Sequence, residues 1–321
     1  MPRFAPRKKK RQTSEVKRVM SEKRKAVIVT HERFTRTGTV VQEALNLLKK
    51  AGFNVMLIDN SEAGGFGYKS AGLRPDTEIV IVLGGDGTIL RAAELTRGTK
   101  IPIFGVNLGH VGFLAEFESF QMAQAIQKVA DRDYKIDKRM TAHVQLYLPE
   151  NFGSGKPVVD WALNDVTLEH TDRSQMIEVG ISVDNVATSS FGCDGVIVST
   201  PTGSTAYAFS AGGPIIWPDV RALELTPLAA HALFSRPLII GSDSVYGIEV
   251  LKSSSTGGWL CCDGRRQTSI PPGSRVEIRQ SDDDLRIARL SDAPFAARLV
   301  SKFDLPVKGW REEARRRKSG Q

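Results

Sequence analysis

The stretch TEIVIVLGGDGTILRAAELTRG, residues 77–98, decides the fold of this chain. It opens with an apolar run that predicts a buried strand, and three glycines then mark a tight turn. A helix is predicted to begin near Thr88. Because backbone N–H groups and the positive helix end converge at such a turn, it predicts a site for phosphate oxygens. Asp86 is the one charged side chain between the glycines.

Around this stretch, residues 26–137 alternate strand and helix patterns, which predicts a parallel sheet covered by helices. After about residue 137, short runs of alternating apolar and polar residues predict strands instead. The predicted fold is an α/β Rossmann-like N-terminal domain followed by a mostly-β C-terminal domain at residues 138–290. The segment at residues 291–310 is amphipathic, and we expect it to form a helix that packs back on the first domain.

Charge concentrates at the two ends of the chain. The net charge is +8, and residues 1–25 carry eleven Lys and Arg against two acids. Such a segment has too few apolar residues to form a core, so we expect a disordered basic arm at residues 1–25 and a charged tail at residues 311–321. A solubilising role is favoured for the arm, and a nucleic-acid partner is not expected.

The sequence also predicts where the protein resides and what it does not hold. No apolar run approaches the roughly 18 residues of a membrane-spanning helix, and the basic N-terminus lacks the apolar segment of a secretory signal. We therefore expect a cytoplasmic protein without a membrane span. Cysteines and histidines show no spacing typical of metal ligands, so no metal held by the protein itself is expected.

A second strand, turn and helix is predicted at CDGVIVSTPTGSTAYAFSAGGPI, residues 193–215. Its turn is rich in hydroxyls and backbone donors, which can bind phosphate or ribose or can satisfy one another. Between the two glycine-containing turns, Asn164 and Asp165 stand inside an apolar strand, where an unpaired carboxylate is costly to bury. A ligand with hydroxyl or amide groups would explain this pair, and a partly exposed strand end is the alternative.

Six motifs, in this order, give the chain a resemblance to the NAD kinase family over roughly residues 25–310. They are GGDGT, ALND, DGVIVSTPTGSTAY, AGGPI, HALFSRPL and CDGRR. The resemblance implies transfer of a phosphoryl group to the 2′-hydroxyl of the adenosine ribose of NAD⁺, which forms NADP⁺. It also implies an active site between the two domains and assembly into dimers or tetramers.

Asp86 carries the most specific expectation. Beside bound phosphates, its carboxylate can accept a proton from an attacking hydroxyl or share a phosphate-bound Mg²⁺. The resemblance implies the first role, with Mg²⁺ carried by the phosphoryl donor, either ATP or inorganic polyphosphate. It further implies that the following residues contact NAD or phosphate: Gly87, Arg91, Asn164, Asp165, Asp194, Thr205, Ala206, Tyr207 and Ser210. The family commonly has Asn-Glu at 164–165, so Asp165 is shorter by one methylene.

Two other hypotheses stay open at this point. A lipid or sugar kinase could share the GGDGT motif, although nothing in the sequence predicts a membrane-facing apolar helix. A non-catalytic NAD-binding regulator could use the basic arm on nucleic acid, but that hypothesis gives Asp86 no task.

Overall fold

The computed structural model describes residues 24–30, 38–58, 73–108, 112–115, 117–118, 121–153, 155–172, 174–232 and 235–307. Of the basic arm predicted at residues 1–25, residues 1–23 lie outside the described residues. The arm was predicted to extend too far, because Lys25 is the first residue of a strand. The charged tail predicted at residues 311–321 lies wholly outside the described residues.

The helices are α1 (Thr39–Lys50), α2 (Asp86–Thr96), α3 (Met122–Ala130), α4 (Tyr207–Ser210) and α5 (Phe295–Phe303). The first strands are β1 (Lys25–Thr30), β2 (Asn54–Ile58), β3 (Thr77–Leu83), β4 (Ile103–Asn107), β5 (Phe117–Glu118) and β6 (Lys135–Arg139). The next are β7 (Ala142–Tyr147), β8 (Val158–Ala162), β9 (Asp165–His170), β10 (Ile177–Val183), β11 (Val186–Cys193), β12 (Gly195–Ser199) and β13 (Ala222–Leu228). The last are β14 (Leu238–Gly241), β15 (Tyr246–Val250), β16 (Gly258–Cys262), β17 (Arg266–Ile270), β18 (Arg275–Gln280) and β19 (Leu285–Arg289).

The first sheet carries the GGDGT turn. Its strands follow the order β2-β1-β3-β4-β19-β6, with β5 beside β4, and β1 to β4 pair in parallel. Alternate residues of β3 enter two different cores: Ile79 and Ile81 pack with α1 and α3, whereas Val80 and Val82 pack with α2. Helices therefore cover both faces, which explains the continuous apolar run of this strand.

The second half of the chain forms two six-stranded sheets. One follows the order β11-β10-β15-β18-β7-β8 and the other β14-β13-β12-β9-β16-β17. A single apolar core contains side chains of both, such as Val179 and Ile248 from the first and Val196 and Leu260 from the second. The predicted combination of an α/β domain with a mostly-β domain is confirmed.

Strand β19 departs from the sequence pattern around it. It lies within the stretch that the sequence assigns to the second domain, yet it pairs antiparallel with β6 and parallel with β4 in the first sheet. The reason is burial, because Ile287 joins the core beside α2 while Ala288 joins the core of α1 and α3. Helix α5 follows directly and lies within the segment that was predicted to return to the first domain.

The start of helix α2 corrects a second expectation. The helix begins at Asp86, two residues before the predicted Thr88, because Gly85 takes the N-cap position in an extended conformation. Asp86 therefore sits in the first turn, where the positive end of the helix favours a negative charge. Among the residues that the structure describes, no helix is both long and apolar enough to cross a bilayer.

Candidate active site

Asp86 lies at the N-terminus of α2, directly after the buried strand β3. Its carboxylate is held by the backbone of another segment: the N–H of Phe113 donates to Oδ2 at 3.0 Å and the N–H of Leu114 donates to Oδ1 at 3.1 Å. A side chain at Gly112 would collide with Oδ1, so the close approach of this segment requires glycine there. A carboxylate oxygen has two acceptor positions, so each oxygen can accept one more hydrogen bond.

The role of residues 112–114 was not predicted from the sequence. These residues, a glycine and two apolar residues that come a few positions after a buried strand, form no motif that predicts a contact with Asp86. The contact joins positions 27 and 28 residues apart, and no local pattern of a strand or helix reports it. Gly87, in contrast, lies exposed in the first turn of α2 as the motif suggests, with open space where a side chain would be.

The second predicted turn packs directly on the Asn164-Asp165 pair. The N–H of Thr200 donates to the carbonyl of Asn164 at 2.9 Å, and any side chain at Gly203 would collide with that same carbonyl. The hydroxyl of Ser204 donates to the carbonyl of Pro201 at 2.8 Å and accepts the N–H of Ile216 at 2.9 Å. The hydroxyls of this turn therefore serve its own fold first.

A cavity of about 650 Å³ opens beside this turn. Its lining includes the predicted residues Asn164, Asp165, Ala206 and Tyr207, together with Glu169 and Trp259, which the sequence analysis missed. The other predicted residues, namely Asp86, Gly87, Arg91, Asp194, Thr205 and Ser210, are not among the described residues that line it. Tyr207 presents an exposed ring to this space, and a flat ring of that kind can stack on a nucleotide base.

Asp165 is, with Asp263, one of two buried acids among the described residues that line the cavity. Its side chain is 6% exposed, and burial, followed by the negative charges of Asp263 and Glu169, raises its pKa to about 7. Near neutral pH this carboxyl group therefore exists in both protonation states and can donate as well as accept a hydrogen bond. The exposed Asp194 also contributes charge here, since Glu169, Asp165 and Asp194 add to burial in raising the pKa of Tyr207.

An ionic junction links helix α2 to the cavity; we define it as Glu94, Asp160, Asp263, Arg265 and Arg266. The guanidinium of Arg266 pairs with Glu94 at 2.8 Å, with Asp160 at 3.1 Å and with Asp263 at 3.2 Å. Arg265 pairs with Glu94 at 3.0 Å. These residues include most of the CDGRR motif, to which the sequence analysis gave no task.

Asp263 carries the ionic junction to the ligand side. Its carboxylate accepts the N–H groups of Leu163 and Asn164 at 2.9 and 2.7 Å, and it lines the cavity. Arg91, predicted to contact phosphate, pairs instead with Glu94 at 3.5 Å, and its Nε has no acceptor among the described residues. Helix α2 and the Asn164-Asp165 pair are thus joined by one chain of buried contacts.

The described residues hold no preformed metal centre. Within those ranges, no three His, Cys, Asp or Glu side chains lie close enough together to bind an ion. Asp86 is the carboxylate at the glycine turn, and a single carboxylate together with substrate phosphates is a common way for proteins to hold Mg²⁺.

Comparison with known proteins agrees with this architecture. Residues 69–134 match the ATP-NAD kinase N-terminal domain and residues 163–290 match the ATP-NAD kinase C-terminal domain. Yeast NADH kinase, solved in complex with NADH, superposes with a TM-score of 0.74 at 23% identity and covers 89% of each chain. An NAD kinase from Archaeoglobus fulgidus, solved in complex with ATP, gives a TM-score of 0.67 at 24% identity, over 87% of this chain and 98% of that one. At such identities these two structures establish the fold alone.

A curated relative is much closer in sequence. The NAD kinase of Bifidobacterium longum subsp. infantis is 64% identical over 299 residues, which cover 93% of this chain and 88% of that protein. With this identity over nearly the whole length, the chain belongs to the NAD kinase family.

Proposed function

We propose that Asp86 accepts the proton of the 2′-hydroxyl of the adenosine ribose while a phosphoryl group is transferred to that oxygen of NAD⁺. As a member of its family, the chain is a kinase that converts NAD to NADP. The observation that carries our assignment is the carboxylate of Asp86, fixed by two backbone N–H groups at the N-terminus of α2. A base held in this way needs no reorganisation at the moment of transfer.

We assign the cavity to the nucleotide acceptor. Asn164 and Asp165 offer amide and carboxyl groups for the ribose hydroxyls, and Tyr207 offers a ring for a base. Ala206, Thr205, Asp194 and Ser210 complete this side in our proposal. Gly87, in the first turn of α2, lies beside the same nucleotide in our proposal. Arg91 belongs to the donor side, because a guanidinium suits phosphate oxygens.

Mg²⁺ fits the donor side as an ion carried by the phosphates. When bound, it would neutralise charge on the phosphoryl donor, with Asp86 as the carboxylate nearest the turn. We propose ATP as the phosphoryl donor, since the NAD kinase from Archaeoglobus fulgidus was solved in complex with ATP. Inorganic polyphosphate is the alternative donor. Parallel assays of NADP⁺ formation with ATP, with polyphosphate and with neither would distinguish the two.

The decisive variant is Asp86→Asn. General-base catalysis contributes about 10²–10⁴-fold in rate, or roughly 3–5 kcal/mol of barrier. We expect kcat to fall by about that factor while the Kd for NAD⁺ changes little, because Asp86 is not among the described residues that line the cavity assigned to NAD⁺ and the amide oxygen can still accept one of the two backbone N–H groups. Steady-state kinetics and calorimetric titration with NAD⁺ would measure the two quantities.

The matched control is Asp131→Asn. Asp131 is an exposed aspartate that caps the C-terminus of α3, so kcat and Kd should both stay at the wild-type values. Retention of wild-type kcat in Asp86→Asn would remove Asp86 from the mechanism.

Family membership removes the two other hypotheses, a lipid or sugar kinase and a non-catalytic regulator. We further propose a cytoplasmic homodimer or homotetramer without a nucleic-acid partner. Light scattering on the purified chain would measure the subunit number, and a monomer at micromolar concentration would contradict this part of the proposal.

A further inference from the structure

Five aromatic rings connect helix α5 with both halves of the molecule; we call them the aromatic junction (Phe113, Phe209, Trp217, Phe295 and Phe303). The ring of Phe113 lies 5.8 Å from Phe295 and 5.7 Å from Phe303, measured between centroids. Phe303 also lies 4.5 Å from Phe209 of helix α4, and Trp217 meets Phe295 edge-on at 5.0 Å. Helix α5 therefore touches the Asp86 side and the cavity side of the site at once.

Phe113 belongs to the backbone that holds Asp86. Its N–H donates to Oδ2 of the carboxylate, and its ring, only 7% exposed, contacts two rings of α5. Packing of this ring restrains the N–H that fixes the carboxylate, because only Cβ and Cα separate the ring from the amide nitrogen.

Leu114, the other donor to Asp86, is held from the same direction. Its carbonyl accepts a hydrogen bond of 3.0 Å from Arg289, the last residue of β19. Arg289 is buried and also donates to Asp137 at 3.1 Å. Both peptide units that hold Asp86 are thus supported by the stretch from β19 to α5, more than 170 residues away in sequence.

We propose that Phe303 is a positioning residue for the Asp86 carboxylate and acts through Phe113. This inference rests on the proposed function, because it needs Asp86 to act in the chemical step. Reacting groups must be held closely, since a misplacement of about 1 Å can cost on the order of 100-fold in rate. Loss of one of the two rings against Phe113 would loosen the carboxylate by less than that, so an effect of about tenfold on kcat is expected.

The central test is a double-mutant cycle between Phe303→Ala and Asp86→Asn. In the wild-type background, Phe303→Ala should lower kcat about tenfold and leave the KM for NAD⁺ within about twofold. In the Asp86→Asn background it should have no further effect on kcat, because the group that Phe303 positions no longer takes the proton. A loss of kcat of equal size in both backgrounds would overturn the proposal.

Two further variants separate positioning from loss of structure. Phe303→Tyr keeps the ring and should restore kcat to near the wild-type value. Leu299→Ala shortens a buried side chain of the same helix while leaving all five rings, so it should lower the melting temperature with little change in kcat. A fall of kcat in Leu299→Ala as large as in Phe303→Ala would assign the effect to helix docking and overturn the proposal.

If Phe303→Ala does not fold, Phe303→Leu takes its place in the cycle and should lower kcat about threefold. A rise in the KM for NAD⁺ at unchanged kcat would show that the ring serves α4 and the cavity, which contradicts the proposal. Wild-type kcat in the single variant Asp86→Asn would refute the proposed function itself, and is thereby distinguished from failure of this inference.

Discussion

The ionic junction and the aromatic junction tie the same two halves of the molecule together by opposite chemistry. In the ionic junction, Arg266 is 1% exposed and Asp160 is completely buried. In the aromatic junction, Phe209 and Trp217 remain 39% and 45% exposed. The ionic junction binds α2 near its C-terminal end, at Glu94. The aromatic junction contacts the backbone that holds Asp86, at the N-terminal end of the same helix.

This difference separates a contact that must be complete from one that can be adjusted. A buried guanidinium facing three carboxylates is stable only while each charge has its partner, so its geometry is nearly fixed. Ring contacts contribute about 0.5–1.5 kcal/mol each and tolerate a range of angles. Helix α2 is therefore anchored rigidly far from the chemistry and held by softer contacts beside it.

The largest effect is expected from breaking the ionic junction with Arg266→Met. The change removes the cation that Glu94, Asp160 and Asp263 share, and it leaves the carbonyl of Trp161 without its 2.6 Å donor. Removing one member of a buried ion pair costs about 3–5 kcal/mol. We expect a loss of that size in the free energy of unfolding, measured by urea denaturation.

Arg265→Met is the matched control for this prediction. Arg265 is adjacent in sequence, but it pairs with Glu94 at 3.0 Å while 21% of its side chain is exposed. Partly exposed pairs contribute about 1 kcal/mol or less. Equal costs for the two variants would mean that burial does not distinguish the two arginines, and the comparison between the junctions would lose its basis.

A smaller effect on the free energy of unfolding is expected from the titration of Asp165, a buried acid next to Asp263 of the ionic junction. Burial, with the charges of Asp263 and Glu169, raises the pKa of Asp165 to about 7 in the folded chain. In the unfolded chain the pKa of an aspartate is about 3.9. Between these values the folded chain holds one more proton than the unfolded chain, so stability falls as pH rises from about 4 to 7 and is flat above.

Asp165→Asn should remove this contribution. The free energy of unfolding of the wild type should then decrease relative to that of Asp165→Asn as pH rises toward 7. Urea denaturation at pH 5, 6, 7 and 8 would measure the difference, with Asp131→Asn as a variant that keeps the wild-type profile. A constant difference between Asp165→Asn and wild type at all four pH values would show that the carboxyl group is ionised throughout.

The sequence predicted the architecture because local patterns encode it. The apolar run before GGDGT predicted the buried strand β3, and the alternating runs after residue 137 predicted the mostly-β half. Motifs also brought Asn164, Asp165 and Tyr207 forward, and the structure places all three on one cavity. Each of these inferences uses residues that are neighbours in sequence.

The parts that the sequence did not predict depend on contacts between distant residues. Arg266 meets Glu94 across 172 positions, and Arg289 meets Leu114 across 175. Neither arginine has a sequence neighbour whose pattern points to its partner. The early start of α2 at Asp86 was missed for a different reason, since glycine is permissive enough to serve as the turn or as the N-cap.

The smallest effect is expected at the edge of the aromatic junction, from Trp217→Leu. Trp217 meets Phe295 edge-on at 5.0 Å and an angle of 76°, but it has no ring contact with Phe113 among the described residues. An aromatic pair contributes about 0.5–1.5 kcal/mol beyond burial, so unfolding should become easier by about 1 kcal/mol while kcat stays at the wild-type value. Urea denaturation and steady-state kinetics on one preparation would measure both, with Phe303→Ala as the variant in which kcat falls.

If Trp217→Leu costs as much stability as Arg266→Met, the aromatic junction is as rigid as the ionic one. In that case the division between a fixed anchor and a soft support near Asp86 does not hold.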